Sequence, residues 1–436
     1  MIITVTTCGT SILTRRLRPQ DYEFLAENLE EKEFTALIRK ISPRDYNKLM
    51  QDRQPAQLLK ELCERAYSKL NENANLSEQE YPEDEKKNLF ALAEIKRKLI
   101  TLGDENFSRW ISAELNGFIG YYKREGVLNN AKQDNHYLIH TDTYQGKITA
   151  DLLVAWFEAH GIKNVHAVKI DNLNTRSASD FRKGIDNLIV WCNETLSEYR
   201  QINGWKVIFN LVGGFKALQG YMQTLGMFYA SETIYIFESS NELLTIPQLP
   251  VDFAAQTKET LLHGDNFTVF RKLCRLYSLS DESTLSVEEC KGLPLTLLSV
   301  EDSKCSLSSW GLLIWENIWR EQYSKCLLPP LTKRIKYSDE VIKQAEEYIT
   351  SDNKRLVWLN ERLDDLYIEV EKGIRIDSCN LRALKTDPSV YEFNLWRDQA
   401  GWRGYCHKEN NNDSDGKATW IIDRIGEGIG KAHHGR

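Results

Sequence analysis

No run of apolar residues in this 436-residue chain approaches the ~18 that a membrane span requires, so no membrane partner is expected. The opening run MIITVTTCG reads as a strand without a basic flank, which argues against a secretion signal. The nine cysteines (Cys8, Cys63, Cys192, Cys274, Cys290, Cys305, Cys326, Cys379 and Cys406) include no CxxC pair. That spacing provides no zinc site, and an odd, scattered set points to reduced thiols in the cytoplasm. Neither sign of charge dominates: 56 Lys+Arg stand against 63 Asp+Glu, a net charge of −7. Non-specific coating of duplex DNA is therefore disfavoured, although a local basic patch remains compatible with nucleic acid. Two phosphate-binding signatures are also missing, GxGxxG and GxxxxGK[ST]. Their absence removes the usual support for a nicotinamide enzyme or a P-loop ATPase.

What remains is an ordinary globular composition, 42% hydrophobic and 27% charged with a mean hydropathy of −0.47, in a chain long enough for two to four domains. Residues 2–7 form a β-rich run. A charged, leucine-patterned helical region follows over about 15–130. Strand and helix then alternate: HYLIHTDT, GKITADLLVAWFEAHG, NVHAVKI, SASDFRKGIDNLIVWCNETLSEYRQ, KVIFNLVGG, FKALQGYMQTLGMFYA and TIYIFES. Such alternation with short loops predicts an α/β fold with a doubly wound parallel sheet over about 1–260. Residues 266–330 read as short helices with a hairpin, and LLPPL at 327–331 as a linker. Beyond it come a short strand at 335–337, a helix capped by Ser338 and a leucine-striped helix through Leu356, Leu359, Leu363, Leu366 and Val370. Three strand-like runs follow, VYEFNLW, GWRGYCHKE and ATWIIDRIG. The end of the chain is thus expected to be a helical pair on a small antiparallel sheet.

In an open parallel sheet, ligands bind beyond the carboxyl ends of the strands. Three such ends carry Gly9-Thr10-Ser11, Thr141-Asp142-Thr143 and Gly213-Gly214-Phe215-Lys216. Glycines admit an anion close to backbone N–H groups, a helix N-terminus adds partial positive charge, and Lys216 adds a full one. The glycines alone would equally well serve tight strand-to-helix packing. The motifs CGTSIL (8–13), SAELNGF (112–118), LIHTDTYQGK (138–147) and NLVGGFKA (210–217) together resemble CARF domains, the Rossmann-fold sensors of type III CRISPR immunity. The resemblance covers about 1–260, so the sensor is placed at 1–262. It implies a homodimer whose two-fold pocket binds a cyclic oligoadenylate, most plainly cyclic tetra-adenylate, since a symmetric ring suits a symmetric pair. Thr10, Ser11, Asn210, Gly213, Gly214 and Lys216 stand on the matching motifs. Some CARF domains also cut their ring slowly, and Ser11 and Lys216 are the candidates for that step.

CARF sensors commonly control a ribonuclease with an Arg-x4–6-His motif, which this chain lacks: Arg403 to His407 has three intervening residues. The order of elements over 331–436, with Gly401-Trp402-Arg403 on the central sheet, is similar to the RelE toxins, ribonucleases that cut mRNA in the ribosomal A site. That resemblance implies that Arg403 meets the scissile phosphate. Glu392 and Asn394 occupy a strand where many RelE toxins carry lysines. The region is nearly balanced in charge, with 18 Lys+Arg against 19 Asp+Glu over 333–436, so tight binding to naked RNA is not expected. Cleavage by the RNA's own 2′-hydroxyl needs phosphate held in line and protons moved. Arg397 and Arg403 suit the phosphate, and Lys431, His433 and His434 suit charge and proton transfer. No metal or cofactor is expected. Residues 263–330 are expected as a winged-helix-like middle domain, with Arg271, Lys272 and Arg275 on one helix. The expected function is a cyclic oligoadenylate-activated, ribosome-dependent mRNA endoribonuclease. The rivals are a transcription regulator reading DNA through the middle domain and a stand-alone ring nuclease.

Overall fold

β1 (Ile2–Thr7) is buried on both faces, as the central strand of a parallel sheet must be. The computed structural model describes residues 1–43, 55–124, 128–201, 204–237, 242–248, 253–277, 279, 284–397, 401–409 and 418–427. It is a mixed α/β structure, about half helical. Contacts divide it into two units, Met1–Pro250 and Val251–Arg436.

In the first unit β1 is followed by helices α1 (Ser11–Thr14), α2 (Pro19–Asn28), α3 (Glu31–Ile41), α4 (Pro55–Tyr67), α5 (Glu83–Leu102), α6 (Glu105–Ile111) and α7 (Ala113–Arg124). Then come β2 (Asn135–His140), α8 (Tyr144–Ala159), β3 (Val165–Lys169), α9 (Ala178–Gln201), β4 (Lys206–Asn210), α10 (Lys216–Tyr229), β5 (Glu232–Ile236) and β6 (Leu243–Pro247). The sheet order is β3-β2-β1-β4-β5-β6. All neighbours are parallel except β5 and β6, which pair antiparallel. The chain leaves β1 toward β2 and β3 on one side and leaves β4 toward β5 on the other. The sheet therefore reverses its winding between β1 and β4, the place where open α/β sheets have their ligand crevice.

The helical region after β1 is built into this unit. A continuous buried cluster joins Ile12 and Leu13, leucines of α4 and α5, Phe118 of α7, Trp156 of α8, and Ile208 and Ile234 of the sheet. β6 was not foreseen in the sequence.

The second unit begins with α11 (Phe253–Leu262), α12 (Asn266–Tyr277), β7 (Leu285–Ser286), α13 (Val287–Cys290), the hairpin β8 (Leu298–Glu301) and β9 (Lys304–Leu307), and α14 (Ser309–Tyr323). It continues with β10 (Ile335–Tyr337), α15 (Asp339–Ser351), α16 (Asn353–Tyr367), β11 (Arg382–Ala383), β12 (Val390–Arg397), β13 (Gly401–Glu409) and β14 (Thr419–Glu427). A three-stranded sheet has the order β7-β9-β8, and a five-stranded sheet the order β10-β14-β13-β12-β11. The latter is not wholly antiparallel, because β10 lies parallel to β14. Ser338 caps α15 as expected, accepting from the Val341 amide at 3.2 Å.

The segments expected as separate domains, 263–330 and 331–436, lie in one unit, and LLPPL is fastened rather than free. Asn360 of α16 accepts from the Leu328 amide and donates to the carbonyls of Tyr323 and Cys326, each at 2.9 Å. Arg271 of α12 is 1% exposed; it donates to the Pro329 carbonyl and forms a two-point ion pair with Asp364 of α16, itself 1% exposed. The Tyr323 hydroxyl of α14 donates to the same carboxylate. Arg275, beside it, faces Asp364, Asp365 and Glu361. Arg271 and Arg275 are thus turned to internal carboxylates, and Arg271 cannot reach a DNA phosphate, while Lys272 is half-buried with its ammonium over the Tyr367 ring. Asp364→Ala strands a buried guanidinium and costs roughly 3–5 kcal/mol. The expected result is faster hydrogen exchange throughout α12, α14 and α16.

Candidate functional site

At the winding reversal the loops after β1 and β4 press together. A Cβ on Gly9 would stand 2.6 Å from the Gly214 amide nitrogen, so no larger residue fits there. Gly214 has φ +96°, a region that favours glycine. The Thr7 hydroxyl at the end of β1 donates to the Gly213 carbonyl at 2.7 Å, joining the two loops.

Beneath them lies Glu114, on the first turn of α7 and 1% exposed. Its carboxylate accepts from the Gly9 amide, the Ser11 hydroxyl and the Ser112 hydroxyl, each at 2.7 Å. A Cβ on Gly213 would fall 2.1 Å from the Glu114 carboxylate, and one on Gly117 2.3 Å from Asn210 Oδ1. The Asn210 amide donates in turn to the Glu114 carbonyl at 2.9 Å. The motif SAELNGF is therefore the floor of the crevice: Ser112, Glu114 and Gly117 each fit against the loops of β1 or β4.

The six residues expected to hold a ligand divide accordingly. Ser11 and Asn210 are committed inward, to Glu114. Thr10 heads α1 without a side-chain bond across the cap. Gly213 and Gly214 shape the loop, and Lys216 opens the 14-residue helix α10 with its side chain exposed. Gly214, Thr10 and Lys216 are what the crevice presents outward. The Thr141–Thr143 turn is occupied by its own contacts: Thr143 caps α8, and Asp142 accepts from the Asn172 amide and pairs with Lys169. A loop from the helical region walls this side, with Asn75 and Glu80 holding Thr175 and Arg176, and Glu78 holding Lys147.

Lys96 of α5 supports the same corner. Its fully buried ammonium donates to the carbonyls of Ile12, Leu13 and Arg15, at 2.5–2.8 Å, and so ties down the end of α1. Loss of solvent pushes its pKa down to about 7; the thiol of Cys63 opposes this and Arg15 adds to it.

The second site is the polar face of the five-stranded sheet. Phe393 and Leu395 are fully buried on one face, and the absent side chain of Gly404 makes room for the Phe393 ring. Alternate residues face the other way: Glu392, Asn394, Arg403, Tyr405 and His407. Arg403 is opposite Asn394 in the ladder. Arg403 Nε and Asn394 Oδ1 are both buried without a partner, while Arg403 Nη1 donates to the Trp402 carbonyl at 3.0 Å. Trp402 stacks on Trp396 and carries Arg355 over its ring. Glu392 is neutralised by Arg382 at 2.7 Å. Arg424 lies over the Tyr405 ring, whose phenol pKa is raised, first by burial and then by Glu392.

Arg397 is on β12, with its side chain outside the described residues. Lys431, His433 and His434 lie outside them altogether. His407 is a residue that the sequence reading left out of the site. Its Nδ1 lies 2.9 Å from both oxygens of Asp423, and its position four residues after Arg403 on one strand was the available signal. Among the described residues no group of three or more His, Cys, Asp or Glu is placed to hold a metal ion, and no helix is long and apolar enough to cross a membrane.

Residues 109–249 match the family model of a CRISPR-associated protein, Cas_APE2256. The match supports a CRISPR-associated protein. It contains Glu114, Asn210, Gly213, Gly214 and Lys216, while Thr10 and Ser11 precede it. No curated protein matches the chain.

Because Lys96 binds its proton less tightly in the fold than in the unfolded chain, the unfolded state holds more protons above about pH 7. Stability of the first unit therefore gains from this group as pH rises from about 7 toward the ordinary lysine value of 10.5. Lys96→Met removes the gain. The unfolding free energy of the wild type relative to the variant should rise between about pH 7 and 9 in urea titrations.

Proposed function

We propose that this chain is a cyclic oligoadenylate-activated endoribonuclease that cuts mRNA on the ribosome and acts as a homodimer. The observation that carries the reading is the pair of unpartnered polar atoms, Arg403 Nε and Asn394 Oδ1, on residues that face each other across β12 and β13. Unpaired polar atoms of this kind call for an explanation, and RNA, with donors and acceptors in its phosphates, sugars and bases, supplies one if it displaces the neighbours that cover them. A role in type III CRISPR immunity fits the CRISPR-associated match.

In this reading the ring sits at the crevice between β1 and β4. Gly214 allows close approach of backbone, and Lys216 supplies charge at the head of α10. Ser11, Asn210 and Gly213 hold the crevice in shape around Glu114, so ring contact falls chiefly on Thr10, Gly214 and Lys216. Ring binding favours the active arrangement of the second unit by the difference in affinity between the two states. At the sheet, Arg403 holds phosphate; Arg397, Lys431, His433 and His434 are the further candidates for phosphate, charge and proton transfer. The region's nearly equal numbers of acids and bases give little affinity for free RNA, which favours a substrate delivered by the ribosome. A DNA-reading middle segment is disfavoured, because Arg271 and Arg275 are paired with carboxylates of α16.

The test is cyclic tetra-adenylate added to the full chain in a translating extract, with mRNA ends mapped against toeprints of stalled ribosomes. Ring-dependent cuts at the A-site codon are expected. Lys216→Ala should weaken ring binding about tenfold or more, since a charged hydrogen bond contributes roughly 1.5–3 kcal/mol. Arg403→Ala should bind ring normally and cut about 10²–10³-fold more slowly. Intact mRNA with ring bound would overturn the ribonuclease reading.

A further inference from the structure

The geometry points to His407 as the general base of the second-unit site, held in its working tautomer by Asp423; this deepens, and rests on, the ribonuclease reading above. Three observations converge on the pair.

The first is the backbone. In the β13–β14 ladder Tyr405 opposes Arg424, but Cys406 opposes Ile422, so Asp423 is the extra residue of a β-bulge. A bulge re-aims a side chain that regular alternation would send elsewhere, and bulges recur beside active sites. This one is clamped by the head of α15. The Ser338 hydroxyl donates to the Asp423 carbonyl at 2.6 Å, and the Ser338 amide donates to the Ile422 carbonyl at 3.0 Å. One turn on, Gln344 exchanges two hydrogen bonds with Ile425, each at 3.1 Å. Helix and strand together fix where the Asp423 carboxylate lies.

The second is the imidazole. Both Asp423 oxygens stand 2.9 Å from Nδ1, and a carboxylate only accepts, so the neutral ring carries its proton on Nδ1. Nε2 is left with a lone pair. Glu409 stands 3.9 Å from Nε2, beyond a hydrogen bond. The ring is 39% exposed and Asp423 38%, so the dyad faces solvent, where a substrate can reach it.

The third is the surroundings. His407, Tyr405 and Arg403 share a face of β13, and Arg424 of β14 lies over Tyr405. Alternate residues of a strand are about 6.7 Å apart, so Arg403 and His407 are separated by about 13 Å along it. The Arg403 guanidinium lies back toward Gly401 and Trp402, away from His407, so Arg403 is assigned a flanking phosphate. Arg424, next to Asp423 in the chain and over Tyr405 on the same face, is assigned the phosphate beside the base.

The step is an internal transesterification. His407 Nε2 takes the proton of a ribose 2′-hydroxyl, and the 2′-oxygen bonds to phosphorus. The bond from phosphorus to the 5′-oxygen breaks, leaving a 2′,3′-cyclic phosphate. The departing oxygen takes a proton from water, and His407 later returns its own proton to water. No oxidant, reductant or metal enters the balance.

The test uses the full chain with cyclic tetra-adenylate on mRNA-programmed ribosomes, measuring the single-turnover cutting rate. His407→Ala should cut about 10²–10⁴-fold more slowly, the usual contribution of a positioned base. Added imidazole should restore part of that rate in His407→Ala and none in Arg403→Ala. Asp423→Asn should slow cutting, and its combination with His407→Ala should be no slower than His407→Ala alone. Far-UV circular dichroism and ring binding verify that each variant is folded. A folded His407→Ala that cuts within about threefold of wild type, or that imidazole leaves unmoved, overturns the role of His407 and leaves the ribonuclease reading standing. A wild-type protein that binds ring but cuts no ribosome-bound mRNA sinks both.

Discussion

The carboxylate of Glu114 holds the crevice of the first unit together. An isolated carboxylate out of water is costly, and this one persists because three donors meet it: the Gly9 amide and the hydroxyls of Ser11 and Ser112. Those donors belong to the loop after β1 and to the start of α7. The loop after β4 is drawn into the same arrangement by Asn210, which bonds to the Glu114 carbonyl, and by Gly213, whose missing side chain leaves the carboxylate its space. Two strand ends 203 residues apart in the chain are thus registered against one side chain on a helix between them. A crevice so braced is preformed, and its outward groups are few. That suits a ligand recognised by shape and phosphate rather than by an array of side-chain hydrogen bonds.

The second unit uses the opposite arrangement: a buried ion pair in its core and unsatisfied polar atoms on its surface sheet. Arg271, Asp364 and Tyr323 bind three helices through one carboxylate. Replacement of such pairs by apolar groups is often tolerated, so their presence speaks less for stability than for one fixed packing of α12, α14 and α16. The face carrying Arg403 and Asn394 is left incomplete. Other unpartnered polar atoms are scattered, such as Gln322 Nε2 and Thr149 Oγ1, whereas Arg403 and Asn394 stand opposite each other.

The strand–helix alternation of the first unit was legible because strands of a parallel sheet are apolar runs bounded by turn residues. The cap at Ser338 and the three long strands of the second unit were legible for similar local reasons. What escaped was decided by partners far along the chain. Glu114 and Lys96 sit in charged helices, and nothing local marks them as buried. Arg271 and Arg275 look like a cationic face until Asp364 and Asp365, some 90 residues later, fold against them. LLPPL carries the signals of a linker, yet Asn360 and Arg271 fasten it. Asp423 joins His407 only through a bulge, which a pattern of alternating residues cannot foretell. The crevice itself was located from strand ends, but the division of Ser11 and Asn210 from Lys216 needed the geometry.

The pairing of β1 has a consequence for the order of synthesis. β1 is made long before its partners: its neighbour β4 pairs Ile2 with Lys206 and its other neighbour β2 pairs Ile3 with Asn135. At roughly 5–20 residues per second, the apolar strand waits on the order of 10–40 s for β4. The helices of the region after β1 are made during that interval, and their contacts are mostly local. In the folded chain they pack against Ile12 and Leu13 and hold the carbonyls of Ile12, Leu13 and Arg15 through Lys96. An unpaired strand offers its edges to other chains during that wait, and a helical region made in the interval gives the neighbouring chain something of its own to pack against.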